Sequence, residues 1–277
     1  MIQALKVAAP PRGSRENQEG YTNGTSAAAA LASRACHRIH DALEFAYRDA
    51  FLALPALERA ALLKALLVHP ARWPRGVADL IKATVGPWGR GQASKQKDNI
   101  RRFIGFGCVD ADDAVACAAD RATFFATGTL PPERSLTVAV PVPLVMAGKA
   151  RPHSLSATLA WFTPVSPGRK SYRTCRLKVL KPAALADLGV AGHSWQPDEN
   201  QTNRGTIFSR CWEGSDAPIV TADMTIPLVV QRDPDQGGAV DDAVTFGLAV
   251  TLAMPGEVAL YDEVFARVQP QVRAVAR

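Results

Sequence analysis

The pair Pro131-Pro132 separates two halves of the chain with different hydrophobic periodicity, and that switch limits the folds open to it. Before it, apolar residues recur at helical spacing. Ile39, Leu43, Tyr47 and Phe51 within 26–51 are the clearest case. The same reasoning predicts a helix over 57–68 (LERAALLKALLV), closed by His69-Pro70 because a residue before proline is pushed out of the helical region. Further helices are predicted over 77–85, stopped by Gly86-Pro87, and over 95–104 and 111–119. Residues 10–24, opening with Pro10-Pro11, read as irregular surface chain. After Pro132 come short alternating or apolar runs at 136–142, 154–162, 174–180, 205–212, 224–230 and 244–252, punctuated by Pro and Gly. That spacing predicts an antiparallel β-sandwich or jelly roll. A length of 277 residues suffices for two cores, so a helical domain over 1–130 and a β-domain over 131–277 are expected.

Composition excludes several function classes. With 47% hydrophobic and 21% charged residues the chain is globular, and no apolar run reaches the roughly 18–20 residues that span a bilayer. The N-terminal sequence has no secretory apolar core with a cleavage site, so a cytoplasmic protein with no membrane partner is expected. A net charge of +6 is modest for this length. The densest basic stretch, 90–102 (RGQASKQKDNIRR), holds no aromatic residue to stack on a base. It reads as a solvated helix face, and no nucleic-acid partner is expected. The cysteines Cys36, Cys108, Cys117, Cys175 and Cys211 are odd in number and widely spaced, which predicts buried free thiols. No cofactor and no metal site are expected. Acidic stretches at 110–113 and 233–242 lack calcium-loop spacing and read as solvated loops. His37 and His40 lie one helical turn apart with no third ligand evident from sequence, and read as helix-face histidines.

Chemistry concentrates at Tyr21-Thr22-Asn23-Gly24-Thr25-Ser26, followed at once by AAAALA. Gly24 can adopt backbone angles barred to other residues, which suits an abrupt helix entry. Ser26 then falls in the first helical turn, where unpaired N–H groups and the positive end of the helix dipole converge. Taken alone, Thr25 or Ser26 in such a place is ordinarily an N-cap.

The wider pattern resembles the subtilisin-like serine proteases of the S8 family. Asn23-Gly24-Thr25-Ser26 with its small-residue helix resembles the family's nucleophile segment, 62–71 (LLKALLVHPA) the helix that follows it, and 105–111 (GFGCVDA) with Ala114-Val115 its closing stretch. Ala30 stands where the family usually has proline. The resemblance spans roughly residues 20–120. It implies that Ser26 is a nucleophile whose own N–H serves as an oxyanion donor, with Asn23, Gly24 and Thr25 in support. It also implies a peptide or protein substrate cleaved through an acyl-enzyme. The family's aspartate, histidine and oxyanion-asparagine motifs precede the serine, and residues 1–25 contain none of them. The resemblance therefore implies an α/β catalytic remnant, inactive alone, with the preceding half lost, cut off by a truncated gene model or separately encoded as a partner. The helices over 26–51 and 57–68 are then expected to lack the parallel sheet they would cover.

In the second half, 156–162 (SATLAWF), Pro164 and Ser171-Tyr172-Arg173 resemble the C-terminal sandwich of many subtilases. Residues 203–206 (NRGT) and 212–214 (WEG) read as strand ends and turns, and Trp161 and Trp212 as packing residues. The competing reading is a non-enzymatic β-sandwich binding module on a helical scaffold.

Overall fold

A computed structural model describes residues 5–9, 13, 17–115, 120–146, 153–167, 173–180, 205–214, 225–234 and 242–262. The expected mixture of helices and antiparallel sheets is what forms. A hairpin of β1 (Leu5–Ala9) and β2 (Gln18–Thr22) opens the chain, so 18–22 is strand and not the irregular chain expected there. The helices are α1 (Thr25–Leu52), α2 (Ala56–Val68), α3 (Arg75–Val85), α4 (Ala93–Ile104) and α5 (Ala111–Val115). Every strand pairing among the described residues is antiparallel.

The remaining strands are β3 (Arg121–Leu130), β4 (Ser135–Pro141), β5 (His153–Trp161), β6 (Cys175–Val179), β7 (Ile207–Gly214), β8 (Thr225–Pro234) and β9 (Val244–Ala253). They form a four-stranded sheet in the order β3-β9-β5-β7 and a three-stranded sheet in the order β4-β8-β6. Alternate residues of each sheet meet in one shared core. Leu155, Leu159 and Trp161 of β5 and Phe246, Leu248 and Val250 of β9 pack with Leu177 of β6 and Ile226, Leu228 and Val230 of β8. Trp161 and Trp212 are both buried there, as packing residues. β3 was not foreseen: it precedes Pro131-Pro132, yet it pairs along its whole length with β9, from Arg121–Ala253 to Leu130–Val244.

The other face of the four-stranded sheet is covered by α2. Residues of opposite parity, Ala160 and Ala249, join Leu62, Ala65 and Leu66 of α2 and Ile39, Leu43 and Phe51 of α1 in a second core. Both faces of β5 and β9 are therefore buried, and the positions facing α2 carry small or hydroxylated residues, as at Thr158, Ala160, Gly247, Ala249 and Thr251. At the centre of the contact, a Cβ on Gly247 would lie 2.5 Å from the Leu62 backbone. A residue with no side chain is what lets helix and sheet come this close. The expectation that 57–68 lacks a sheet is thus corrected: α2 lies on the chain's own antiparallel sheet, and Ala61, Leu62 and Ala65 have no exposed surface.

α1 behaves differently along its length. Ala35, Ile39, Leu43 and Phe51 are buried, whereas 28–31 are exposed throughout. The helix breaks at Tyr47 (φ −134°, ψ 32°), whose ring meets Phe125 of β3 edge-on at 5.2 Å. The bend also brings Phe51 back against His40, with ring centroids 5.1 Å apart.

Candidate functional site

The hairpin delivers the chain to Asn23-Gly24, and Gly24, with φ +123°, is the residue that caps α1. Neither Thr25 nor Ser26 is the cap, and no side chain caps this end. The first helical hydrogen bond runs from Ala28 N–H to the Gly24 carbonyl at 3.1 Å. The N–H groups of Thr25, Ser26 and Ala27 therefore precede the first intrahelical bond. The first turn contains no acidic residue, so its positive dipole end is not offset locally. Asn23, Gly24, Thr25, Ser26 and Ala30 are all exposed. Ser26 stands at the second helical position with its hydroxyl open to solvent.

None of the four described histidines serves this serine. His37 and His40 lie on the same helix, about 16 and 21 Å further along its axis at 1.5 Å per residue. His37 lies 3.6 Å from Asp41, and His40 lies 3.7 Å from Glu44. His153 is buried in β5. His193 lies outside the described residues.

His69, at the C-terminal end of α2, is committed elsewhere. Its Nδ1 is 2.9 Å from Thr158 Oγ1 and its Nε2 is 2.7 Å from Thr251 Oγ1. Thr158 in turn meets Ser209 Oγ at 3.0 Å, and Thr251 meets Thr123 Oγ1 at 2.7 Å. Hydroxyls from all four strands of the sheet thus converge around one imidazole. Burial, and then the charges of Arg72 and Arg121, push its pKa down to about 3, so the ring is neutral. With both nitrogens engaged it is a fastening between helix and sheet, not a free base.

Two more polar contacts hold α2. Lys64 donates to the Trp161 carbonyl at 3.1 Å and to Thr206 Oγ1 at 2.6 Å, and lies 5.0 Å over the Phe162 ring. Partial burial lowers its pKa. Thr127 of β3 donates to Glu58 at 2.6 Å. The sequence shows the helix but not these partners, because Lys64, His69, Thr158 and Thr251 are brought together only by the fold. The His-Pro pair closing an apolar helix is the one local signal.

In 90–102, Asp98 pairs with Arg101 and Arg102 along α4, and its carboxylate is half-buried between them rather than fully solvated. Asp110 accepts the N–H groups of Asp112 and Asp113 at 3.0 Å, capping α5, and Asp112 and Asp113 pair with Arg38 and Arg121. Asp233 pairs with Lys178 at 2.7 Å, while 235–241 lie outside the described residues. None of the described cysteines is in a disulfide, but only Cys175 and Cys211 are buried. Cys36 is half-buried and Cys108 exposed, because the latter sits at the surface bridge with Arg72. Cys117, 171–172 and 203–204 lie outside the described residues. An open groove lined by Glu133, Arg134, Gln231, Arg232 and Asp233 contains neither Ser26 nor a histidine. No helix among the described residues is long and apolar enough to cross a membrane. No protein-family model matches the chain, and no curated protein matches it in sequence.

Proposed function

We propose that the chain carries the nucleophile helix of a subtilisin-like serine endopeptidase, acting on peptide or protein substrates through an acyl-enzyme on Ser26. The observation that carries this reading is the entry into α1. A glycine in a left-handed conformation starts the helix abruptly and sets Ser26 in the open at its second position. There the hydroxyl is free to attack a carbonyl carbon while the Ser26 N–H faces the oxygen that becomes negative. Attack also requires a base to take the hydroxyl proton, and the described histidines supply none. Among the described residues nothing activates the Ser26 hydroxyl, and the reading implies negligible peptidase activity for the chain by itself. Loss of the whole triad in subtilisin costs about 10⁶ in kcat. The base and its orienting carboxylate come from a preceding or separately encoded segment.

A fluorophosphonate probe, which reacts with activated serines, tests this. The chain alone should stay unlabelled. Adding the protein segment encoded upstream at the same locus should produce a label that mass spectrometry places on Ser26, and Ser26→Ala should abolish it. Robust Ser26 labelling without any addition, or none after it, contradicts the reading.

A second reading rests on α2. Its fastening to the β3-β9-β5-β7 sheet makes helices and strands one body, which suits a binding module on a helical scaffold. A chain that stays unlabelled but pulls down a defined protein partner through its sheets would support that module.

A further inference from the structure

We propose that the face of α1 formed by His37, His40, Asp41 and Glu44 binds one divalent transition-metal ion of the zinc type. The spacing places His37 and Asp41, and likewise His40 and Glu44, four residues apart, so all four side chains share a face of one helix. Ligand atoms of His40, Asp41 and Glu44 all lie within 4.8 Å of one another. The individual separations are 3.8 Å for His40 Nδ1 to Asp41 Oδ1, 3.7 Å for His40 Nδ1 to Glu44 Oε2, and 3.6 Å for His37 Nε2 to Asp41 Oδ2. Ligands held at about 2.0–2.1 Å from a tetrahedral zinc are about 3.4 Å apart. Along these three edges the side chains need close by only a few tenths of an ångström.

The donor set selects the metal class. Two imidazoles and two carboxylates suit zinc and its neighbours, whereas magnesium and calcium prefer a shell of oxygens. The two carboxylates also balance the charge of a divalent ion. One ligand is already held in place: the His40 ring packs edge-on against buried Phe51, at an interplanar angle of 73°. The further ligands not evident from sequence are thus provided by Asp41 and Glu44, which look like solvating acids until the helix aligns them with the histidines. His40, Asp41 and Glu44 form the core of the site. His37 stands outside this trio, 3.6 Å from the second oxygen of Asp41, and would complete a fourth position by turning its side chain toward the ion, with water there otherwise. The inference is independent of any activity at Ser26.

The test uses the full chain, stripped with chelator, and zinc chloride as the titrant in isothermal titration calorimetry. Cobalt absorption serves as a second readout of tetrahedral geometry. The expected result is saturable binding of one zinc per chain, unaffected by magnesium or calcium at the same concentration. His40→Ala and Glu44→Gln should each weaken it at least tenfold, and His37→Ala should weaken it less. Glu44 is half-buried and has no ring contact with Phe51, and Gln keeps its shape, so Glu44→Gln remains decisive if His40→Ala disturbs the packing on Phe51. Absence of saturable binding overturns the proposal. So does unchanged affinity in the Glu44→Gln variant or in a folded His40→Ala/Glu44→Gln double variant, since the ion would then sit elsewhere, as on the Cys36 or Cys108 thiols.

Discussion

Residues 28–31 of α1 and 61–66 of α2 draw on similar residues, alanine and leucine above all, yet the first stretch is exposed and the second packs into the core. Leu31 of α1 is 45% exposed, whereas Leu62 of α2 is fully buried. The difference comes from what faces them, not from the helices. α2 meets a sheet whose outward positions are small or hydroxylated: Ala160, Gly247 and Ala249 allow close approach, and Thr158 and Thr251 grip His69. No described strand faces 28–31. Helical pattern alone shows that a segment has an apolar side, and only the partner surface decides whether that side becomes core.

Acid should break the comparison most strongly, because it acts on α2's polar fastening. His69 has a folded pKa of about 3 against an ordinary value near 6.5, so the unfolded chain binds a proton that the folded one excludes. The stability held by the neutral ring is fully present above about pH 6.5 and is lost progressively as pH falls toward about 3, at roughly 1.4 kcal/mol per pH unit. Urea unfolding at pH 7, 6 and 5 should show this slope before most carboxylates titrate, and His69→Gln should flatten it. An equal slope in the variant would mean that other groups account for acid sensitivity.

Next in size is a pair of matched truncations. Leu62→Ala should cost about 2–5 kcal/mol, as a cavity in a packed contact does, while Leu31→Ala should cost under about 0.5 kcal/mol, as exposed substitutions do. Chemical denaturation of the two variants measures both. Equal effects would erase the distinction between the helices. Gly247→Ala should follow, at about 1–3 kcal/mol, since its methyl group would press on the Leu62 backbone. A neutral result would place α2 further from the sheet.

How far these features were legible in the sequence follows from the same contrast. The helices were readable because their apolar residues repeat within one element, and most strands because Pro and Gly bound them. β3 escaped because ATFFATGTL carries no clean alternation: Phe124 and Phe125 are adjacent, and they lean toward different cores. The break at Tyr47 was hidden because Ile39, Leu43, Tyr47 and Phe51 keep an even four-residue spacing through it. The Gly24 conformation and the exposure of Ser26 were anticipated from local chemistry. The clasp around His69 was not, since its hydroxyl partners lie 89 and 182 residues away.

The central claim is that α2 is fastened into the body of the protein while the start of α1, with Ser26, is displayed from it. Native-state hydrogen exchange resolved by residue tests that directly. Amides of α2 near Leu62 and Leu66 should exchange only on global unfolding, whereas amides over 29–33 should exchange orders of magnitude faster through local fraying. Comparable protection in the two helices, or faster exchange in α2, would contradict it.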